Sequence, residues 1–160
     1  MAFSYFVDSS PSAGRPGEVH TTQKNDLGAV RKGNDGSEYI YLAGAASVVA
    51  KEVVSYQPGV WTIVRLATGV KGSVAISSAA LTASTWGWCM IVGTDVVTVR
   101  TAVTSNTALF IGGVTGFVDV AAVKGDQIMG LICRNAAGAV GSAVMQINRA
   151  FIGLSNESTG

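Results

Sequence analysis

The stretch from Ser84 to Thr101, S-T-W-G-W-C-M-I-V-G-T-D-V-V-T-V-R-T, leaves little choice but a β-sheet. Two runs rich in β-branched and aromatic residues, Trp86 to Val92 and Val96 to Thr101, flank Gly93-Thr94-Asp95. β-Branched side chains are stiff at χ1 and suit a pleated backbone better than a helix. Because Gly admits positive φ and Asp tolerates a tight turn, Gly93-Thr94-Asp95 is expected to close a hairpin between the runs. The second run has period two: Val97, Val99 and Thr101 point one way, and Val96, Thr98 and Arg100 the other. The first run is apolar on both faces. Such a strand belongs inside a sandwich or barrel, or has its outer face covered by another chain.

From Leu27 onward the same grammar recurs. Leu27 to Lys32 and Glu38 to Leu42 flank Gly33-Asn34-Asp35-Gly36, a strong hairpin signal. Ala45 to Val54 fits a short helix and a strand equally well, with Val48, Val49 and Val53 making a narrow helical face. Gln57-Pro58-Gly59 has Pro and Gly in the order of a type II turn and precedes a strand from Trp61 to Leu66. Further strands are expected at Ser73 to Ile76, Ala108 to Ile111, Phe117 to Val120, Ile128 to Arg134 and Ala143 to Asn148, the last continuing through Phe151-Ile152. Gly112 to Gly116 is expected to be a hairpin loop. The V-K-G at 70–72 recurs at 123–125, each just before a strand, which fits two similar turns rather than a repeat. About ten strands spaced near ten residues apart predict an all-β fold. The expected form is a single-domain β-sandwich or barrel of short antiparallel strands with an extended N-terminal arm. The arm spans 1–26, the β domain 27–154 and a polar tail 155–160.

The arm begins with Phe3, Tyr5 and Phe6 and then becomes a polar tract with no helical or strand period. Three aromatics in six residues predict docking, either on a neighbouring subunit or on the chain's own domain. Composition favours contact between chains. Charged residues make up 13% of the sequence, against about 25% in a typical soluble domain. A surface so poor in charge is weakly protected against association. The net charge is +1, and no basic run exceeds Arg31-Lys32, so nucleic acid is not an expected partner. No apolar segment approaches the roughly 18 to 20 residues of a membrane-spanning helix. Met1 to Tyr5 lacks the basic start of a secretory leader, so the glycosylation triplet Asn156-Glu157-Ser158 is not expected to be used.

The chain is poor in groups that do chemistry. His20 is the only histidine and falls in the arm, which leaves no histidine-based triad or multi-histidine metal site within one chain. Cys89 and Cys133 each sit in an apolar strand with no metal-binding spacing and are expected to be buried thiols. Asp95, Asp119 and Asp126 are expected at turns or on outward strand positions, where they would form a paired-carboxylate site only if the fold gathered them. Gly112-Gly113-x-x-Gly116 lacks the Lys-Ser/Thr of a phosphate-binding loop. Trp61, Trp86 and Trp88 are candidates for core or intersubunit packing; a row of exposed tryptophans would instead suit a stacking platform. No catalytic, cofactor-binding or metal-binding residue is expected, and no enzymatic activity.

Segments 27–47 (L-G-A-V-R-K-G-N-D-G-S-E-Y-I-Y-L-A-G-A-A-S), 62–66 (T-x-x-R-L), 72–75 (G-x-V-A), 86–88 (W-G-W) and 108–118 (A-L-F-I-G-G-x-x-G-F-V) resemble small structural proteins of tailed bacteriophages. The nearest likeness is to capsid decoration, or cement, proteins, and it covers about residues 27 to 153. The resemblance implies a β-rich protein, often trimeric, made in the host cytoplasm and bound to the outside of the virion where major capsid subunits meet. It also implies a terminal arm that reaches a neighbour, with Phe3, Tyr5 and Phe6 as its anchors. A tail or fibre component and a carbohydrate-binding β module are the alternatives.

Overall fold

The computed structural model describes residues 5–7, 13–120, 126–138 and 141–153. Eleven strands form it: β1 (Val19–His20), β2 (Val30–Lys32), β3 (Glu38–Ala43), β4 (Val53–Tyr56), β5 (Ile63–Arg65), β6 (Ser73–Ser77), β7 (Trp86–Val99), β8 (Leu109–Ile111), β9 (Val118–Asp119), β10 (Gln127–Cys133) and β11 (Gly141–Ile152). The all-β expectation holds. The strands make one sheet in the order β2-β3-β7-β6-β11-β10-β8-β9, with β1 on β7 and β4 between β5 and β6. Every strand pairing is antiparallel, and the sheet is not closed into a barrel; the arrangement is compatible with a β-sandwich.

Residues 86 to 99 are one continuous strand of 14 residues rather than the expected hairpin. Gly93, Thr94 and Asp95 stay in the ladder, opposite Ile147, Gln146 and Met145 of β11. Gly93 has a φ of +138°, and a Cβ there would stand 2.7 Å from Ser37 Oγ, so its glycine serves close approach rather than a turn. Around this point β7 changes partner. β3 pairs with Trp86 to Val92, and β11 pairs with Val92 to Val99.

The two halves of β7 bury themselves as their patterns require. Beyond Gly93, Val97 and Val99 are buried while Val96 and Thr98 are exposed. Before it, both faces are covered. Trp88 and Met90 join a large core with Tyr39, Tyr41, Val74, Ile76, Met145 and Ile147. Cys89 and Ile91 join a smaller one with Ile40, Leu42, Val54, Ala75, Ile63 and Leu81. Strands β3, β4, β6 and the first half of β7 thus divide the two cores, each contributing alternate residues to either side. Burying each of these larger side chains contributes about 1.5–3 kcal/mol.

Local signals placed several turns correctly. The β2–β3 hairpin turns at Gly33–Gly36, with Gly36 at φ +82°. At Gln57-Pro58-Gly59, Gly59 has φ +93° and the Val60 N–H donates to the Gln57 carbonyl at 3.1 Å, as a type II turn requires. Residues 45 to 52 form turns and no helix. Ser47 and Lys51 both take positive φ, which a helix cannot accommodate, and Val48 and Glu52 are drawn inward. Within the expected arm, residues 13–26 lie on the β domain: β1 pairs with β7, and Ala13 is buried.

Candidate functional site

Residues 5–7 line the edge of the β2–β3 hairpin. The Asn34 N–H donates to the Tyr5 carbonyl at 2.9 Å, the Val7 N–H donates to the Lys32 carbonyl at 3.0 Å, and Phe6 forms a bridge with Gly33. Alternation then decides the fate of each side chain. Phe6 points into the large core, 5.7 Å from Tyr39 and 4.7 Å from Trp88 between ring centroids. Phe6 therefore docks on its own domain, one of the two placements expected for the arm aromatics. Tyr5 and Val7 point outward, 56% and 67% exposed, and Val30 of β2 is also exposed. Phe3 lies outside the described residues.

None of the tryptophans is exposed. Trp88 is 1% exposed, and its Nε1–H donates to the Ala13 carbonyl at 2.9 Å. Trp86 is half-buried against the large core, whereas Trp61 is half-buried against the small one, stacked on Tyr56 at 6.3 Å. Core packing accounts for all three. The row of exposed rings that a carbohydrate-stacking module needs is not formed by them.

Cys89 and Cys133 belong to different cores, so no disulfide joins them. Burial pushes the Cys89 thiol up to about 12. The three aspartates are not gathered. Asp95 lies within β7 and takes Lys51 Nζ at 2.7 Å, and Asp119 lies in β9. Asp126 lies just before β10 and is buried, with Lys71 Nζ at 3.5 Å. Among the described residues, no group of three or more His, Cys, Asp and Glu side chains could hold a metal ion.

Two polar constructions were not legible in the sequence. Glu52, 1% exposed, accepts the Arg65 Nε–H at 2.6 Å and the Val49 N–H at 3.0 Å. Arg65 also donates to the Thr115 carbonyl at 3.2 Å, so the ion pair holds the Gly112–Gly116 loop. The second construction is built around His20, expected in a loose arm but buried beneath it. His20 Nδ1 lies 2.7 Å from the Tyr41 hydroxyl, and Nε2 lies 3.7 Å from Glu18 Oε2. A sequence signal for either would have been a charged residue with no room on an outward face, as at Glu52 between Val49 and Val53.

Apolar side chains remain on the outside elsewhere. Met129 and Phe151 face each other across β10 and β11, beside a register shift at Gly130, and both are exposed. Val60 and Val64 line a groove of about 700 Å³ with Tyr56, Val70 and Lys71. These surfaces offer contact area, without an assembled set of groups for bond making. Comparison with models of known protein families and with curated proteins finds no match to this chain.

Proposed function

We propose that this protein is a structural component of a tailed-phage virion that binds the outer surface of the capsid and clamps adjacent capsid subunits. The outward pair Tyr5 and Val7 carries the reading. They sit on a strand-like edge fixed by backbone hydrogen bonds to Lys32 and Asn34, so an apolar surface is held in place without being used inside the chain. A pre-ordered apolar edge loses little entropy when a partner covers it. The low charge of the chain and the further exposed apolar positions at Val30, Val60, Val64, Met129 and Phe151 support the same reading. The protein works as a homo-oligomer, with a trimer favoured by the resemblance to decoration proteins. Added interface area must come apart before a shell can rupture, so a bound clamp raises the rupture temperature.

Purified protein is incubated with phage shells that lack it, and the shells are then heated. Binding with a raised rupture temperature supports the proposal. No binding, or binding with an unchanged rupture temperature, overturns it.

A further inference from the structure

His20 sits where a proton would be hard to add. The Tyr41 hydroxyl oxygen accepts the Lys24 N–H at 3.2 Å and lies 2.7 Å from His20 Nδ1, a hydrogen bond that either tautomer of the neutral ring can make. The other ring nitrogen is Nε2. Gly14 covers that nitrogen so closely that a Cβ on Gly14 would overlap the ring. Nε2 has no hydrogen-bond partner, the nearest carboxylate oxygen being Glu18 Oε2 at 3.7 Å.

A second proton makes donors of both ring nitrogens, and the buried Nε2 has no acceptor within hydrogen-bond distance to receive its hydrogen. A charge is also placed in a site that is 3% exposed. The charged groups facing the ring are Glu18 on its own segment and Lys24 on the following loop, while β3 contributes only Tyr41 and β7 places the uncharged Trp86 opposite in register. Burial, then Lys24, lowers the affinity of His20 for a proton below its ordinary value of 6.5, and Glu18 opposes them without prevailing.

The segment that carries His20 is held by few bonds. β1 pairs only two residues with β7, Val19 with Gly87 and His20 with Trp86. Ala13 receives Trp88 Nε1–H and Asn25 Nδ2–H. Short, weakly paired segments of this kind open ahead of global unfolding.

We infer that His20 is an acid-sensitive latch: protonation of its ring releases residues 13–26 from the face of β3 and β7 while the two cores stay folded. Neutral histidine favours the closed form. The closed form is therefore fully favoured above pH 6.5, and the latch loosens as pH falls below that value. Glu18 stays charged through this window, because the Arg15 N–H holds its carboxyl below the ordinary 4.5. Tyr41 stays neutral, because burial raises its hydroxyl above 10.

Hydrogen exchange of the backbone amides of residues 13–26, corrected for the intrinsic pH dependence, tests this at pH 7.5 and 5.0. In the unmodified protein, corrected exchange is expected to rise about threefold or more at pH 5.0, with core amides of β7 and β11 unchanged. His20→Asn, which keeps an acceptor near Nδ1 but cannot take a proton, is expected to show no such rise. Equal protection at both pH values in the unmodified protein, or the same rise in the variant, overturns the inference. Should His20→Asn not fold, the exposed partners carry the test. Glu18→Gln enlarges the acid-induced opening and Lys24→Gln shrinks it; failure of both to alter it overturns the latch.

Discussion

Glu52 and Arg65 meet at 2.6 Å beneath the Gly112–Gly116 loop, with the carboxylate buried and the guanidinium partly open to solvent. Removing the cation strands a buried charge, which costs more than the pair itself contributes. Arg65→Met is expected to destabilise the protein by about 2–4 kcal/mol, reduced from the fully buried case because Arg65 is partly solvated. Glu52→Gln combined with Arg65→Met is expected to recover at least half of that loss. Urea unfolding of the two single variants and the double variant checks the coupling.

Gly116 lies directly on this pair. Its φ is +87°, and a Cβ there would overlap Glu52 Oε1 and Arg65 Nη2. Gly116→Ala therefore combines backbone strain with displacement of the ion pair, and about 2–4 kcal/mol of stability should be lost. Gly113→Ala, with nothing near its added Cβ, is expected to change stability by less than about 1 kcal/mol. Thermal unfolding of both separates the packing role from general loop stiffening.

The alternation at residues 5–7 separates folding from binding. Phe6→Ala removes a ring packed on Tyr39 and Trp88 and is expected to cost about 2–4 kcal/mol in the isolated protein. Tyr5→Ala and Val7→Ala should leave stability within about 0.5 kcal/mol. Both should weaken shell binding, read as less protein retained on shells after sedimentation. Normal binding by a Tyr5→Ala, Val7→Ala double variant would remove this edge from the contact surface.

Much of the strand pattern could be read from the residues alone, because burial on one face or two leaves a direct trace in side-chain polarity. Val96 to Val99 alternate in the sequence and alternate in burial, and Trp86 to Val92 are apolar throughout because separate cores lie on their two faces. What the residues could not convey were choices made by distant partners. A glycine followed by Thr94-Asp95 reads as a turn, yet Ser37 packs on Gly93 and Lys51 claims Asp95, so the strand runs on. His20 looked idle because its polar surroundings have no period. Its burial depends on Tyr41, 21 residues away.

Cys89 gives a prediction for alkaline solution. Its thiol is raised from an ordinary 9.0 to about 12 by burial, so the folded form holds a proton that the unfolded chain loses. Its contribution to stability is complete below pH 9 and declines as pH rises from 9 towards 12. Cys89→Ala should flatten that decline in pH-dependent urea unfolding, apart from a uniform loss from the cavity. A thiol reagent should leave Cys89 unmodified at neutral pH until denaturant is added.

Because β7 serves β3 along one half and β11 along the other, neither part of the molecule owns it. A fragment ending near Gly93 would keep the side chains of the smaller core but take from the large one everything that β8, β10 and β11 supply, Met145 and Ile147 among them. The two cores should accordingly melt together in one transition, and a chain cut at this strand should regain its shape only when both pieces are present.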